Sequence, residues 1–196
     1  MLIKIIQQVG LLRKIVYTLG ASRSKKIVTQ AEDFLGQSTK IIDIGAGVGN
    51  ISEILLKKGK KVTAIDVQNL SMVKGFEPII YDGKKIPFKD SEFDIGLLIT
   101  VLHHVSDQDN LISEAMRVSN RVIIMEDVFS SVFTKYVTFF FDSLLNFEFL
   151  GHPHSNRTDK GWKDFFNKLG LNLLKEGSFN SYFVFRHKVY LLEKIK

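Results

Sequence analysis

The sequence predicts an α/β fold built on a mostly parallel β-sheet. From residue 40 onward, short apolar runs alternate with segments that carry apolar residues at helical spacing, which is the pattern of such folds. Two runs, 95–102 and 122–125, are almost continuously apolar, as is typical of strands buried on both faces. A glycine-rich stretch also follows the run at 40–44. The length of 196 residues predicts one domain, 1–196.

The elements are predicted in chain order from periodicity and turn signals. An N-terminal helical segment, 1–35, precedes the alternating part of the chain. The insert 128–159 separates the fifth and sixth strands, and we expect it to cap the sheet edge where ligands bind. Strands are expected at 40–44, 61–66, 78–81, 94–101, 121–126, 171–178 and 188–194, and helices at 49–58, 69–74, 107–117 and 160–169.

The glycine-rich stretch indicates a ligand site at a strand-to-helix turn, with a glycine-rich turn that binds no ligand as the alternative. Its sequence, Asp43 to Asn50, reads D-I-G-A-G-V-G-N, with glycines at alternating positions. Glycine lets the backbone approach a ligand closely, and the first amide groups of the following helix point at it. A dinucleotide site has the pattern G-x-G-x-x-G, but Asn50 occupies the last of these positions. The loop therefore argues against a nicotinamide-dependent oxidoreductase.

Two acidic residues follow the loop at informative positions. Asp66 ends the second predicted strand and lies 21 residues beyond Gly45. An acid at about that distance is where Rossmann-type folds bind ribose hydroxyls, although an Asp here is also suited to cap a following helix. Asp82 begins a segment that reads D-G-K-K-I-P-F-K-D-S-E-F-D and ends at the start of the fourth strand.

These motifs together resemble a known enzyme family. The pattern D-x-G-x-G-x-G resembles the first motif of the Rossmann-like methyltransferases that use S-adenosylmethionine. The segment 82–94 is similar to D-x-x-x-x-P-F-x-D-x-x-F-D in the group that includes quinone-biosynthesis enzymes, and 102–107 is similar to its L-H-H-x-x-D. The resemblance covers residues 36–127 well and both ends loosely.

The resemblance implies the fold, the cofactor and the site residues. The fold is a seven-stranded, mostly parallel sheet of order 3-2-1-4-5-7-6, with the last strand antiparallel and helices on both faces. The cofactor is S-adenosylmethionine: Asp66 accepts from its ribose hydroxyls, Asp82 accepts from its adenine amino group, and residues 100–103 flank its methionyl end. The implied cofactor-binding residues are Asp43, Gly45, Ala46, Gly47, Gly49, Asn50, Asp66, Val67, Asp82, Gly83, Thr100, Val101 and His103.

Composition excludes several chemistries. The chain has no cysteine, which excludes disulfides, thiolate metal sites and thiol nucleophiles, and it suits a reducing, cytoplasmic compartment. No N-P-P-Y-like segment is present, which argues against methylation of flipped bases. The net charge of +6 arises in residues 1–31, which contain six basic residues and no acid, so we expect no general nucleic-acid surface.

The basic N-terminus carries an apolar helical stripe. Lysines, glutamines and arginine interrupt it, so it is too polar to span a membrane, and no secretory cleavage site follows. Two interpretations stay open: the helix packs over the cofactor pocket, or it lies on an anionic membrane surface as a peripheral contact. The stripe consists of Leu2, Ile5, Val9, Leu12, Val16 and Leu19.

The insert favours an apolar acceptor. It is rich in aromatic residues, including Phe133, Tyr136 and Phe140. These residues either line an apolar substrate pocket or pack in the hydrophobic core. The weaker substrate-binding candidates are His104, His152, His154 and Arg157, with a simple polar loop as the alternative for the last three. No metal site is expected.

The sequence thus predicts methyl transfer to a small apolar, lipid or quinone-like acceptor. The alternatives are a methyltransferase acting on RNA or protein and a non-catalytic partner subunit that binds the cofactor. The sequence does not identify a catalytic base.

Overall fold

A computed structural model describes residues 2–128, 157–181 and 185–195 of the protein. Polar side chains begin two of the helices: the Asp107 carboxylate accepts from the amide of Asn110, and the Thr158 hydroxyl accepts from the amide of Gly161. The described helices are α1 (Leu2–Gln8), α2 (Gly10–Leu35), α3 (Asn50–Lys57), α4 (Gln108–Val118) and α5 (Asp159–Lys168). The described strands are β1 (Lys40–Ile44), β2 (Lys61–Asp66), β3 (Ile79–Ile80), β4 (Phe93–Ile99), β5 (Ser119–Val128), β6 (Leu171–Ser181) and β7 (Phe185–Lys194).

The strands form one sheet in the predicted order, β3-β2-β1-β4-β5-β7-β6. The pairs from β3 to β5 are parallel, and β7 pairs antiparallel with both β5 and β6. The prediction of a seven-stranded Rossmann-like sheet is therefore confirmed. Since β1, β2, β4 and β5 are parallel, their carboxyl ends meet at one edge, where ligands bind in open α/β sheets.

The sheet is buried on both faces, which explains the continuous apolar runs. On β5, Val122 and Ile124 belong to a core cluster that includes Trp162 of α5. Ile123 and Met125 point to the opposite face and belong to a second cluster, whose helical members come mainly from the second half of α2. Helices therefore cover both faces of the sheet, as predicted, and the sheet edge with the glycine loop is held between two packed layers.

The N-terminal helices reach the glycine loop through polar contacts. The Gln7 side-chain amide donates to the carbonyls of Asn69 and Ser71, and the Tyr17 hydroxyl donates to Glu53 of α3. The Asn50 side chain donates to the Tyr17 carbonyl. These contacts agree with a helix that packs beside the predicted cofactor pocket. Every helix among the described residues is too short or too polar to span a lipid bilayer.

One element prediction was wrong, and one strand ends two residues earlier than predicted. Residues 69–74 are not helical, because side chains bind the backbone groups that a helix would use: Asn69 Oδ1 accepts from the Ser71 amide and Ser71 Oγ accepts from the Val73 amide. Strand β4 ends at Ile99 and not at residue 101, because Thr100 has a left-handed backbone with φ of 54°. The other strands and helices match the predictions within a few residues at their ends.

Most of the predicted cap, 128–159, lies outside the described residues. The substrate-binding predictions for Phe133, Tyr136, Phe140, His152 and His154 fall there too, so they stay predictions.

Candidate cofactor-binding site

The glycine loop joins β1 to α3 in a conformation that suits glycine. Gly45, Gly47 and Gly49 have φ angles of 73°, 52° and 82°, all in the left-handed region. At Gly45 an added Cβ would lie 2.7 Å from a methyl carbon of Val101, so the loop packs tightly on the residues after β4. At Gly47 an added Cβ would meet no atom nearer than the Gly45 carbonyl oxygen, at 4.0 Å. The backbone at Gly47 thus faces open space in which a ligand can approach closely.

Asp66 fixes the loop from the end of β2. One carboxylate oxygen accepts from the amide of Gly47 at 2.8 Å, and the other accepts from the amide of Val67 at 2.7 Å. The side chain is buried, and residues 67–78 directly after it are not helical, so Asp66 does not cap a helix. Because each carboxylate oxygen has two lone pairs, Asp66 retains acceptor capacity toward ligand hydroxyls while it holds the loop.

Asp43 lies beneath the loop rather than on its open side. Its carboxylate is buried and accepts a 2.6 Å hydrogen bond from the Ser52 hydroxyl of α3. Burial raises the pKa of Asp43 to about 6, the Ser52 hydrogen bond opposes this shift, and the nearby charge of Asp66 adds to it. The structure therefore gives Asp43 a supporting contact between β1 and α3.

Asp82 lies in the loop after β3, beside the end of β2. One carboxylate oxygen accepts from the amides of Lys84 and Lys85, and these two hydrogen bonds lower the pKa of Asp82. Gly83 has a φ of 74°, and an added Cβ there would lie 3.1 Å from Val67. The predicted cofactor-binding residues Val67 and Asp82 therefore lie at the same edge of the sheet as Asp66.

Arg117 of α4 holds the rest of this segment in place. Its guanidinium donates to the carbonyls of Ile86 and Phe88 and to the carboxylates of Glu114 and Asp90, each within 2.8 Å. Glu114 also accepts from the amide of Ile86. The P-F-x-D part of the motif thus has a structural role in fixing the loop that carries Asp82.

The turn after β4 is fixed by a fully buried glutamate that the sequence analysis missed. Glu126, near the end of β5, accepts from the amides of Val101 and Leu102 at 2.9 and 2.7 Å through one oxygen. Its other oxygen lies 2.6 Å from Nδ1 of His103, which is also buried. Together with the left-handed residue Thr100, this contact sets the path of the segment that packs on Gly45. His103 is therefore a buried partner of Glu126, and its predicted contact with the cofactor stays a prediction.

A further set of hydrogen bonds links this turn to Arg157, which lies near the end of the predicted cap 128–159. Gln108 donates to the Leu102 carbonyl at 2.7 Å and accepts from Arg157 at 2.9 Å. The Arg157 guanidinium also lies over the ring of Phe165, 4.2 Å from its centroid. Arg157 was predicted to bind substrate, and the structure shows it connected to the β4 turn. The His104 ring packs against that of His103 with centroids 4.0 Å apart.

A second buried acid–histidine pair lies beside Glu126. Asp127 is paired across the β5–β7 ladder with His187, and its carboxylate contacts His187 Nδ1. Both side chains are buried. Neighbouring residues of a strand point to opposite faces, so this pair and the Glu126–His103 pair lie on opposite sides of the sheet. A signal for both pairs was present: two adjacent acids interrupt the apolar run of β5.

Together these residues fit S-adenosylmethionine. Three features lie along one edge of the sheet: the open space at Gly47, the carboxylate of Asp66 at the end of β2, and the carboxylate of Asp82. A nucleoside with a charged tail requires such a row of polar contacts. Among the described residues, no three His, Asp or Glu side chains are grouped so that they could hold a metal ion.

Comparisons with known proteins agree with this geometry. Residues 42–121 match the model of a methyltransferase domain. A demethylmenaquinone methyltransferase of Streptomyces griseus is 30% identical over 138 residues, which are 62% of this chain and 60% of the relative. A ribosomal RNA large subunit methyltransferase E of a Wolbachia species is 38% identical over 63 residues, or 30% of this chain and 29% of the relative. The chain therefore spans less than two thirds of either relative.

The fold has close counterparts among solved structures. A magnesium protoporphyrin IX methyltransferase from Synechocystis PCC 6803, solved with bound SAH, superposes with a TM-score of 0.64 at 15% identity. The match covers 97% of this chain and 96% of that one. Residues 42–121 are thus similar to a methyltransferase domain, and the chain has the fold of solved S-adenosylmethionine-dependent methyltransferases.

Proposed function

We propose that this protein transfers a methyl group from S-adenosylmethionine to a small, apolar acceptor of the lipid or quinone type. The observation that carries the proposal is the Gly47 amide held by Asp66, with open space at Gly47 and Asp82 on the same edge. This arrangement suits an adenosyl ligand, and it lies within the matched methyltransferase domain.

Each part of the site has a defined task in this proposal. The loop from Gly45 to Asn50 binds the amino-acid part of the cofactor, Asp66 accepts from its ribose hydroxyls, and Asp82 accepts from its adenine amino group. Thr100 and Val101 border the methionyl end, and Glu126 holds the amide of Val101 in position there. When bound, S-adenosylmethionine supplies a methyl group on a sulfonium whose leaving group is a neutral thioether.

The chain's own contribution to the reaction is alignment and exclusion of water. In-line attack on a methyl group depends on holding the acceptor atom along one direction, and preorganisation of this kind accounts for a large part of such rate enhancements. A general base is needed only where the acceptor must lose a proton. His104, on the turn beside the site, is our candidate for contact with the acceptor.

The proposed acceptor class rests on two sources. The insert 128–159 is rich in phenylalanine, which suits an apolar molecule. A relative with 30% identity is named for a demethylmenaquinone substrate. We infer that the aromatic side chains Phe133, Tyr136 and Phe140 surround the acceptor, and that His152, His154 and Arg157 contact its polar groups.

The experiment is transfer of a radiolabelled methyl group to a panel of acceptors. The purified chain is incubated with labelled S-adenosylmethionine and, separately, with demethylated quinones, phospholipids, total RNA and a protein extract. We expect label in the organic phase with quinones or lipids, and none with the Gly47→Val variant. Label in RNA would favour the alternative suggested by the Wolbachia relative. Cofactor binding without transfer to any pool would favour a non-catalytic partner subunit.

A further inference from the structure

The first 19 residues expose an unusually apolar surface. Leu11 and Leu19 are 70% and 66% exposed, and four other large apolar side chains nearby are at least 41% exposed. A large apolar patch on a folded protein generally marks a site of contact with a partner or a membrane. We call this surface the N-terminal apolar face; it consists of Ile5, Val9, Leu11, Leu12, Ile15 and Leu19.

Helix α2 has two apolar faces, and the described protein covers one of them. In its second half the apolar residues are buried in the core against the sheet. Successive side chains of a helix are rotated by about 100° around its axis. On this basis, the exposed side chains at 11, 12, 15 and 19 point on average about 145° away from the buried side chains of the second half. The exposed face therefore does not continue the core face, and packing against the residues that the structure describes does not explain it.

The first half of the helix is nevertheless anchored to the protein. Tyr17 contacts Glu53, and Gly20 lies close to the side chain of Asn50, where an added Cβ would be 2.8 Å away. Gln7 of α1 holds the backbone at Asn69 and Ser71. These polar contacts and the buried side chain of Ile6 anchor one side of the helices, and the N-terminal apolar face points away from the protein.

The positive charge around the N-terminal apolar face indicates which kind of partner it binds. Residues 1–31 contain six basic side chains and no acid, and Lys4, Lys14 and Lys25 are exposed. Arg23 and Lys26 follow Leu19 at helical spacing, so they continue the same side of α2. A second copy of the chain packed face to face would bring these like charges together, which opposes a symmetric dimer. An anionic surface with an apolar interior matches both properties.

We propose that the N-terminal apolar face docks the protein on anionic lipid bilayers. The leucine and isoleucine side chains enter the boundary between headgroups and acyl chains, and the surrounding lysines and arginines lie at the level of the headgroups. The inference is independent of the proposed reaction, because none of the residues of the face belongs to the cofactor site.

The test is flotation of the full chain with vesicles. We expect it to float with phosphatidylcholine vesicles that contain phosphatidylglycerol and to remain unbound with phosphatidylcholine alone. Salt at about 1 M, where the Debye length falls to about 3 Å, should release much of the bound protein. Leu11→Ser with Leu19→Ser should lower the partition coefficient about tenfold or more, because both side chains lose apolar area that the bilayer would bury.

Matched controls separate this contact from general effects. Leu56→Ser with Leu174→Ser changes two leucines that are 42% and 43% exposed elsewhere, and it should leave vesicle binding unchanged. Lys4→Gln with Lys14→Gln should weaken binding several-fold, whereas Lys74→Gln with Lys168→Gln should not. Melting curves and binding of S-adenosylhomocysteine verify that each variant is folded.

Three outcomes would overturn the proposal. The first is a wild-type chain that stays unbound with anionic vesicles. The second is an equal loss of binding in the Leu56/Leu174 control. The third is a wild-type dimer in solution that the Leu11/Leu19 variant abolishes, which would assign the face to a second copy of the chain.

Discussion

Replacing Glu126 should damage the turn after β4 more than any exposed substitution. The carboxylate is fully buried and accepts from the amides of Val101 and Leu102, while its other oxygen contacts His103. Glu126→Ala removes all of these contacts and leaves two backbone amides and a histidine buried without their acceptor. Glu126→Gln retains an oxygen for the two amides and changes only the group that faces His103.

The two variants should differ in magnitude. Removing one partner of a buried charged contact costs about 3–5 kcal/mol, and we expect Glu126→Ala to lose stability in this range. A single altered hydrogen bond to a charged group is worth about 1.5–3 kcal/mol, so Glu126→Gln should lose no more than about that amount. Domains of this size are stable by about 5–15 kcal/mol, so the glutamine variant should remain folded and measurable.

Urea unfolding of both variants measures this difference. Glu77→Ala serves as the control, since Glu77 is exposed, and it should change the free energy of unfolding by no more than about 0.5 kcal/mol. In the folded glutamine variant, S-adenosylhomocysteine should also bind several-fold more weakly, because the backbone at Val101 is less well fixed. A loss below about 1 kcal/mol in Glu126→Ala would refute the assigned role.

Two further substitutions test the cofactor site, and a third tests the buried carboxylate beneath it. Gly47→Val should abolish detectable cofactor binding in calorimetry, because its φ of 52° disfavours side chains and the new side chain fills the open space. Asp66→Ala should weaken binding at least tenfold by releasing the Gly47 amide, and unchanged affinity in both variants would contradict the site. Burial raises the pKa of Asp43 to about 6. Between about pH 4 and pH 6 the folded state therefore keeps a proton that the unfolded chain has lost, and the free energy of unfolding falls as the pH rises through this range. Asp43→Asn should therefore stabilise the protein by up to about 3 kcal/mol at pH 7.5 and by little at pH 4, and equal gains in urea unfolding at both values would disprove this.

The sequence predicted those parts of the fold that depend on local pattern and on family motifs. The strand order and the strand-to-helix turn at Gly45 to Gly49 were both confirmed by the sheet topology. The motif acids, Asp66 and Asp82, do lie on one edge of the sheet. Their detailed contacts were not predictable, because hydrogen bonds to the Gly47 and Lys84 amides depend on backbone geometry that a motif does not specify.

The failures come from interactions between distant parts of the chain. The segment 69–74 has helical spacing, but the side chains of Asn69 and Ser71 accept hydrogen bonds from nearby amides. The side chain of Gln7, more than 60 residues away in the sequence, donates to the carbonyls of the same two residues. Glu126 was missed because its partners, Val101 to His103, follow a different strand, β4, and are distant from Glu126 in the sequence. The apolar stripe at the N-terminus was correctly predicted to be helical. Its periodicity did not indicate that polar contacts such as Tyr17–Glu53, and not the stripe, attach the helix to the rest of the protein.

The most direct test of the account is calorimetric titration of the purified chain with S-adenosylmethionine, S-adenosylhomocysteine and NAD. The account predicts that both adenosyl ligands bind at one site per chain and that NAD does not, because Asn50 replaces the glycine that a dinucleotide loop needs. Binding of NAD in place of the adenosyl ligands, or of none of the three, would contradict it.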